Sequence, residues 1–142
     1  MMRSITIVLF AVFFSTGCTI NSSTKITRYT MNPWEKEIGY AAVVQAGNTY
    51  HISGVTCGGP NYQSAVPECY KELQNVLGKL GLTANNIVKE NVYARDIEKF
   101  KEQIEARKKF YGNADYPAAT WVQIDRLYSP EHLVEIELIA VK

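Results

Sequence analysis

Few side chains in this sequence have both the type and the setting that chemistry needs. Ser53-Gly54 stands near the end of a β-branched, apolar run, where a missing side chain lets another group approach the backbone. His51 shares a strand face with Ser53 by alternation and has the type for acid–base work, although a lone strand histidine is more often simply hydrogen-bonded. Glu135 and Glu137 alternate through the otherwise apolar run from Leu133 to Val141, as either solvated positions or the wall of a cleft. Cys57 and Cys69 form a disulfide in an oxidising compartment or remain two buried thiols. A bridge there would tie the Gly58-Gly59-Pro60 loop to the helix that follows and stabilise by about 3 kcal/mol through loop entropy. With no CxxC pair, neither a zinc site nor a redox motif is supported, so no metal is expected.

The elements that must position these residues follow from apolar spacing. Tyr40 to Ala46 and Thr49 to Val55 read as strands joined by a tight Gly47-Asn48 turn. Val66, Cys69, Tyr70, Leu73, Val76, Leu77 and Leu80 recur at helical spacing, with Pro67 expected in the first turn and Gly81 as the stop. Ile87 to Arg95 reads as a third strand. Asp96 caps a second helix with the stripe Ile97, Phe100, Ile104, Arg107 or Lys108, and Tyr111. Pro117 then directs the chain into a strand over Ala119 to Leu127, and Leu133 to Val141 is the last. Two helices over one face of a mixed sheet make an α+β layer domain, and the bare face is expected to meet another subunit.

Before this domain comes an address. Arg3, the apolar run Ile5 to Phe14 and Ser15-Thr16-Gly17-Cys18 describe a secretory leader over residues 1–17. Gly17 before Cys18 is similar to a bacterial lipobox, with Ser15 where leucine is usual, and makes Cys18 the expected lipidation site. Thr19 after it favours the outer over the inner membrane, facing the periplasm. Ordinary signal cleavage near Ser15 to Gly17 is the alternative, as is a later start at Met31. Residues 18–33 read as a polar tether and 34–142 as the domain. The chain holds 15 basic and 14 acidic side chains, balanced once Arg3 leaves, so it has no electrostatic footprint for nucleic acid.

From about Ile38 onward the residues fall into a known order. Tyr50-His51-Ile52-Ser53-Gly54, Leu73-Gln74-Asn75-Val76-Leu77, Gly81 leading to Ile87-Val88-Lys89, Val92-Tyr93-Ala94-Arg95-Asp96, Tyr116-Pro117-Ala118 and Val134 to Val141 follow one another at matching intervals. In that order the chain resembles the RidA (YjgF) family of homotrimers with a chorismate-mutase-like fold. Active members hydrolyse enamines and imines, without a cofactor, in a cleft between subunits where an arginine grips the substrate carboxylate. The resemblance implies a ligand site of Tyr40, Ser53, Gly54, Ala119, Thr120 and Glu135, with Ser53 and Glu135 as the catalytic candidates.

Ala119 stands where the arginine belongs, and Ile104 where an asparagine is common. Each charge-assisted bond lost costs about 1.5–3 kcal/mol of carboxylate binding. Arg126 points the wrong way by alternation, Arg95 and Arg107 would need a fold detail the sequence does not show, and Trp121 either fills the vacated volume or packs in the core. Deaminase activity is therefore not expected, and the exported location points the same way. The expectation is a lipid-anchored homotrimer binding a small metabolite; the alternatives are an imine hydrolase of altered preference and a protein-interaction trimer with vestigial clefts.

Overall fold

A computed structural model describes residues 24–112 and 115–142. The expected leader, the Cys18 lipidation site and the first part of the tether lie outside the described residues. In chain order the elements are β1 (Ile26–Tyr29), α1 (Trp34–Ile38), β2 (Val43–Ala46), β3 (Thr49–Gly58), α2 (Tyr62–Lys79), β4 (Ile87–Ala94), α3 (Ile97–Lys101), α4 (Ile104–Phe110), β5 (Ala118–Gln123) and β6 (His132–Val141), with a short 3-10 turn at Ala84–Asn86. One sheet runs β1-β2-β3-β6-β4-β5. Only the β4–β5 pair is parallel, and α3 and α4 make its crossover. The α+β reading holds.

Several boundaries differ from expectation. Residues 26–29 are not tether: they pair with β2, Ile26 opposite Ala46 and Tyr29 opposite Val43. Their pairing is made by backbone groups, helped by Tyr29 Oη donating to Gln45 Oε1 at 2.6 Å, and no β1 side chain is fully buried to announce the strand. The helix α2 starts at Tyr62, where Asn61 Oδ1 accepts from the Ser64 N–H at 3.0 Å, so Pro67 falls in the second turn rather than the first. The second helix is broken at Glu102 and Gln103 into α3 and α4, and β5 ends at Gln123, short of Leu127.

The core lies between the helices and one face of the sheet. Tyr62, Ala65, Val66, Cys69, Tyr70, Leu73, Val76 and Leu77 of α2 are buried. Facing them, Val134, Ile136, Leu138 and Ala140 of β6 and Val92 and Ala94 of β4 are almost wholly excluded from water. Alternation leaves Glu135, Glu137, Ile139, Asn91 and Tyr93 on the opposite face, half-buried. Cys57 and Cys69 are bonded as a disulfide with their Cα atoms 5.6 Å apart. Cys57 belongs to β3, so the bridge fastens a strand, not a loop, to α2.

One ion pair sits inside this core. Glu90 is fully buried, and its carboxylate accepts from Arg107 Nε at 2.7 Å, Tyr70 Oη at 3.0 Å, Tyr111 Oη at 3.1 Å and Trp121 Nε1 at 3.3 Å. The Arg107 guanidinium lies over the rings of Tyr111, Trp121 and Tyr116, 4.8 to 5.3 Å from their centroids. Burial, reinforced by the charge of Glu90, holds the Tyr70 and Tyr111 hydroxyls well above their ordinary pKa, so both stay donors. Arg107→Met strands Glu90 as a buried charge and is expected to cost about 3–5 kcal/mol in chemical denaturation. Glu90→Leu combined with Arg107→Met removes the stranded charge but leaves the Tyr70, Tyr111 and Trp121 donors without their acceptor, so it should recover only part of that loss; a double variant no more stable than the single one contradicts this account.

Candidate active site

A cavity of about 670 Å³ opens beside β3 and β6, walled by α1, the middle of β3, α2 and the Tyr128-Ser129 loop. It brings together Tyr40, Ser53, Gly54 and Glu135 from the expected set. Ala119 and Thr120 do not line it. They lie exposed on β5, at the far edge of the sheet, where Lys89 Nζ donates to Thr120 Oγ1 at 2.6 Å. Within one chain the expected set is therefore divided in two.

Two irregularities in the β3–β6 pairing build the cavity wall. Ile52 pairs with Leu138 and Val55 with Ile136, so Ser53-Gly54 form a bulge. A Cβ on Gly54 would fall onto the Glu135 side chain, 2.6 Å from both its Cγ and its Cδ. Glycine is required there because the Glu135 side chain crosses the bulge. Further along, Cys57 pairs with Val134 but Gly58 with His132, which leaves Leu133 unpaired. Strict alternation would put His132 and Glu135 on opposite faces; this second bulge turns His132 into the cavity beside Glu135. The bulge is held by the Leu133 carbonyl, which accepts from Arg95 N at 3.0 Å and Tyr62 Oη at 2.9 Å.

The hydrogen-bonding state of each wall residue limits what it can do. Ser53 Oγ donates to the Ala41 carbonyl at 2.8 Å, so its proton is committed and only lone pairs remain for a ligand. With Ser53 N donating to Ala42 O at 2.9 Å, the serine first of all pins Tyr40 and its neighbours against the strand. Glu35 is buried but satisfied, accepting from the N–H groups of Met31 and Asn32 at 2.9 Å each and holding that segment over the cavity. Glu137 accepts from Asn91 Nδ2 and Tyr93 Oη, both at 3.1 Å, which makes it a structural carboxylate. Glu135 takes no side-chain hydrogen bond among the described residues. Burial and then the charge of Glu137 push its carboxyl above the usual range, against a smaller opposing effect of His132. Tyr40 stands edge-on to Trp34 at 5.8 Å, its hydroxyl pushed up by burial and by the charges of Glu35 and Glu135.

The remaining candidates fall outside the cavity. His51 is exposed and does not line the cavity. Arg126 lies beyond β5, so alternation along that strand does not govern it; its Nη2 donates to Tyr128 O at 3.4 Å. Arg107 is bound to Glu90. Trp121 packs against Phe100 at 5.5 Å and is part of the core. Trp34, Glu35, Ile38, Glu72, Tyr128, Ser129 and His132 also line the cavity and were missed. Only His132, three residues before Glu135, carried a chemical signal in the sequence, and alternation argued against it.

Comparison with known proteins agrees with this architecture. The family described as Endoribonuclease L-PSP matches residues 31–142. The chain belongs to that family, the RidA/YjgF family. A RutC family protein of Aquifex aeolicus is 31% identical over 111 residues, covering 72% of this chain and 88% of the relative. A second RutC family protein, from Pyrococcus horikoshii, is 31% identical over 116 residues, covering 75% and 90%. Among solved structures, a YjgF/YER057c/UK114 family member from Mycobacterium tuberculosis superimposes with a TM-score of 0.74 at 25% identity, covering 83% of this chain and all of that one. A YjgF family protein of Neisseria meningitidis does so with 0.71 at 21% identity, over 85% and 98%.

Gly54→Ala must displace Glu135 or the bulge, and is expected to cost about 1–3 kcal/mol of stability by overpacking; thermal unfolding at unchanged midpoint would contradict the close approach. Glu135 also ties stability to pH. Because its folded pKa lies above the ordinary 4.5, its contribution is fully present below that value and is lost as pH rises through the folded one. In Glu135→Gln this segment of the stability–pH profile, read by denaturant titration, should flatten.

Proposed function

We propose that this protein is an envelope-anchored RidA-like homotrimer that binds a small metabolite in its intersubunit clefts and lacks the family's usual imino-acid deaminase activity. The observation that carries the reading is the composition of the cavity. Tyr40, Ser53, Gly54 and Glu135 meet in it, yet no lysine or arginine among the described residues lines it. The arginine expected at position 119 is an alanine, and Arg107, one of the candidates to replace it, is paired with Glu90. Trimer formation agrees with the half-buried face of the sheet opposite the core and with the separation of Ala119 and Thr120 from the other site residues, which a neighbouring subunit would close. Lipidation at Cys18 agrees with the leader and the Gly17-Cys18 junction.

A second reading, imine hydrolysis with altered substrate preference, is favoured by Glu135. A half-buried carboxyl held above its usual range, free of hydrogen bonds, is equipped to exchange a proton with a bound imine and its attacking water. The two readings separate in an assay against 2-imino acids generated in situ. The unaltered protein is expected to give no acceleration over buffer. Ala119→Arg, restoring two charge-assisted bonds to the carboxylate, is expected to gain hydrolysis by at least about tenfold. Hydrolysis by the unaltered protein would establish the second reading instead.

A further inference from the structure

The carboxylates Glu35, Glu72 and Glu135 line the cavity, and no lysine or arginine among the described residues does. Glu135 offers a carboxylate that takes no side-chain hydrogen bond among the described residues, and Glu72 a second, exposed carboxylate that also accepts from Asn75 Nδ2 at 3.2 Å. Ser53 has spent its proton on Ala41 and can only accept. His132 Nδ1 is buried without any hydrogen-bond partner, although its ring is fixed by the bulge and fitted against Gly58, where an added Cβ would meet Cδ2 at 3.1 Å. His132 lines the cavity, and an unpaired buried atom of its ring calls for a partner, which a small shift of the ring toward a bound ligand atom would supply. Around these groups the mouth is apolar and aromatic: Trp34, Ile38, Tyr40 and Tyr128 are 48, 54, 38 and 79% exposed.

We infer that the cavity selects a cationic amine with an aromatic or apolar body and no carboxylate, held by Glu135 and Ser53, with His132 as a further ligand-contacting, specificity-determining residue. This rests on the small-molecule binding proposed above and names its ligand class. An ammonium group supplies the donors that Glu135 and Ser53 lack, each contact to the carboxylate being charge-assisted. Its ring or chain covers Trp34, Ile38 and Tyr128, where a cation over an aromatic face is also favourable. A ligand carboxylate would instead meet Glu135 and Glu72 with no cation lining the cavity, a like-charge encounter that excludes it as well as failing to attract it.

The test is calorimetric titration of the protein with phenethylamine and with hydrocinnamate, which share a ring and a chain and differ in charge. Phenethylamine is expected to bind at least about tenfold more tightly, the worth of one charge-assisted hydrogen bond. Glu135→Gln and His132→Leu should each erode that preference. Should either fail to fold, Tyr128→Lys, a change at an exposed rim position, should swing the preference toward hydrocinnamate. Equal or tighter binding of hydrocinnamate overturns the inference but leaves small-molecule binding standing, and points to a cation from a neighbouring subunit such as Lys89. Binding of neither compound, with the protein folded and trimeric, removes the inference and the binding proposal together. A preference that survives all three substitutions unchanged places the ligand elsewhere and also overturns it.

Discussion

The buried carboxylate of Glu90 is the constraint on which most of this structure depends. A charge removed from water must be fully surrounded by donors, and those donors come from Tyr70 on α2, Arg107 and Tyr111 at α4, and Trp121 on β5. One group therefore fixes the packing of two helices against two strands. It also holds β5, which has no strand beyond it, against β4 in parallel register from Lys89–Ala118 to Ala94–Gln123. The same arrangement settles what Arg107 can do. Its charge is spent on Glu90 and its faces are covered by three rings, so it belongs to the core.

On the other side of the sheet, regular pairing gives way at two places, and the cavity is what results. A β3–β6 ladder without bulges would put a side chain at position 54 against Glu135 and would turn His132 toward the helices. The bulge at Ser53-Gly54 makes room for the Glu135 side chain; the bulge at Leu133 adds the imidazole. Each irregularity is secured from outside the ladder. Ser53 bonds to Ala41 and Ala42, and the Leu133 carbonyl takes Tyr62 Oη and Arg95 N. Glu35 similarly anchors the chain ahead of α1, which closes the cavity from above.

The fold was largely legible because its signals are periodic. The α2 stripe and the alternation of β4 and β6 come from burying one face, and burial is what sequence patterns record best. What escaped had other causes. The strand β1 is held by backbone pairing with little apolar burial. The cavity's α1 wall is a single short turn whose one buried residue is a glutamate, a type that reads as solvent-facing. Arg107 stood ambiguous beside Lys108 on the helix stripe, because a buried arginine is recognisable only with Glu90 in view, and that partner is 17 residues away in another element. For the candidate site, Tyr40, Ser53, Gly54 and Glu135 were found through family resemblance. His132 was not, since a bulge breaks the alternation by which a face is assigned.

The charge around position 119 shows how the loss of one arginine alters more than one contact. An arginine presents a planar fork suited to a carboxylate, and nothing on β5 replaces that geometry. The nearest cation in the ladder is Lys89, whose ammonium donates to the neutral Thr120 hydroxyl. It is a compact, hydrated charge on a flexible stem and lacks the planar fork. Meanwhile the cavity retains Glu135 and Glu72 with no cation opposite them. In the proposed trimer, where a neighbouring subunit brings position 119 to the cavity, an arginine there would balance Glu135 and Glu72 and admit a ligand anion. With alanine, the carboxylates are the charges a ligand meets, which is the basis of the cationic ligand inferred above.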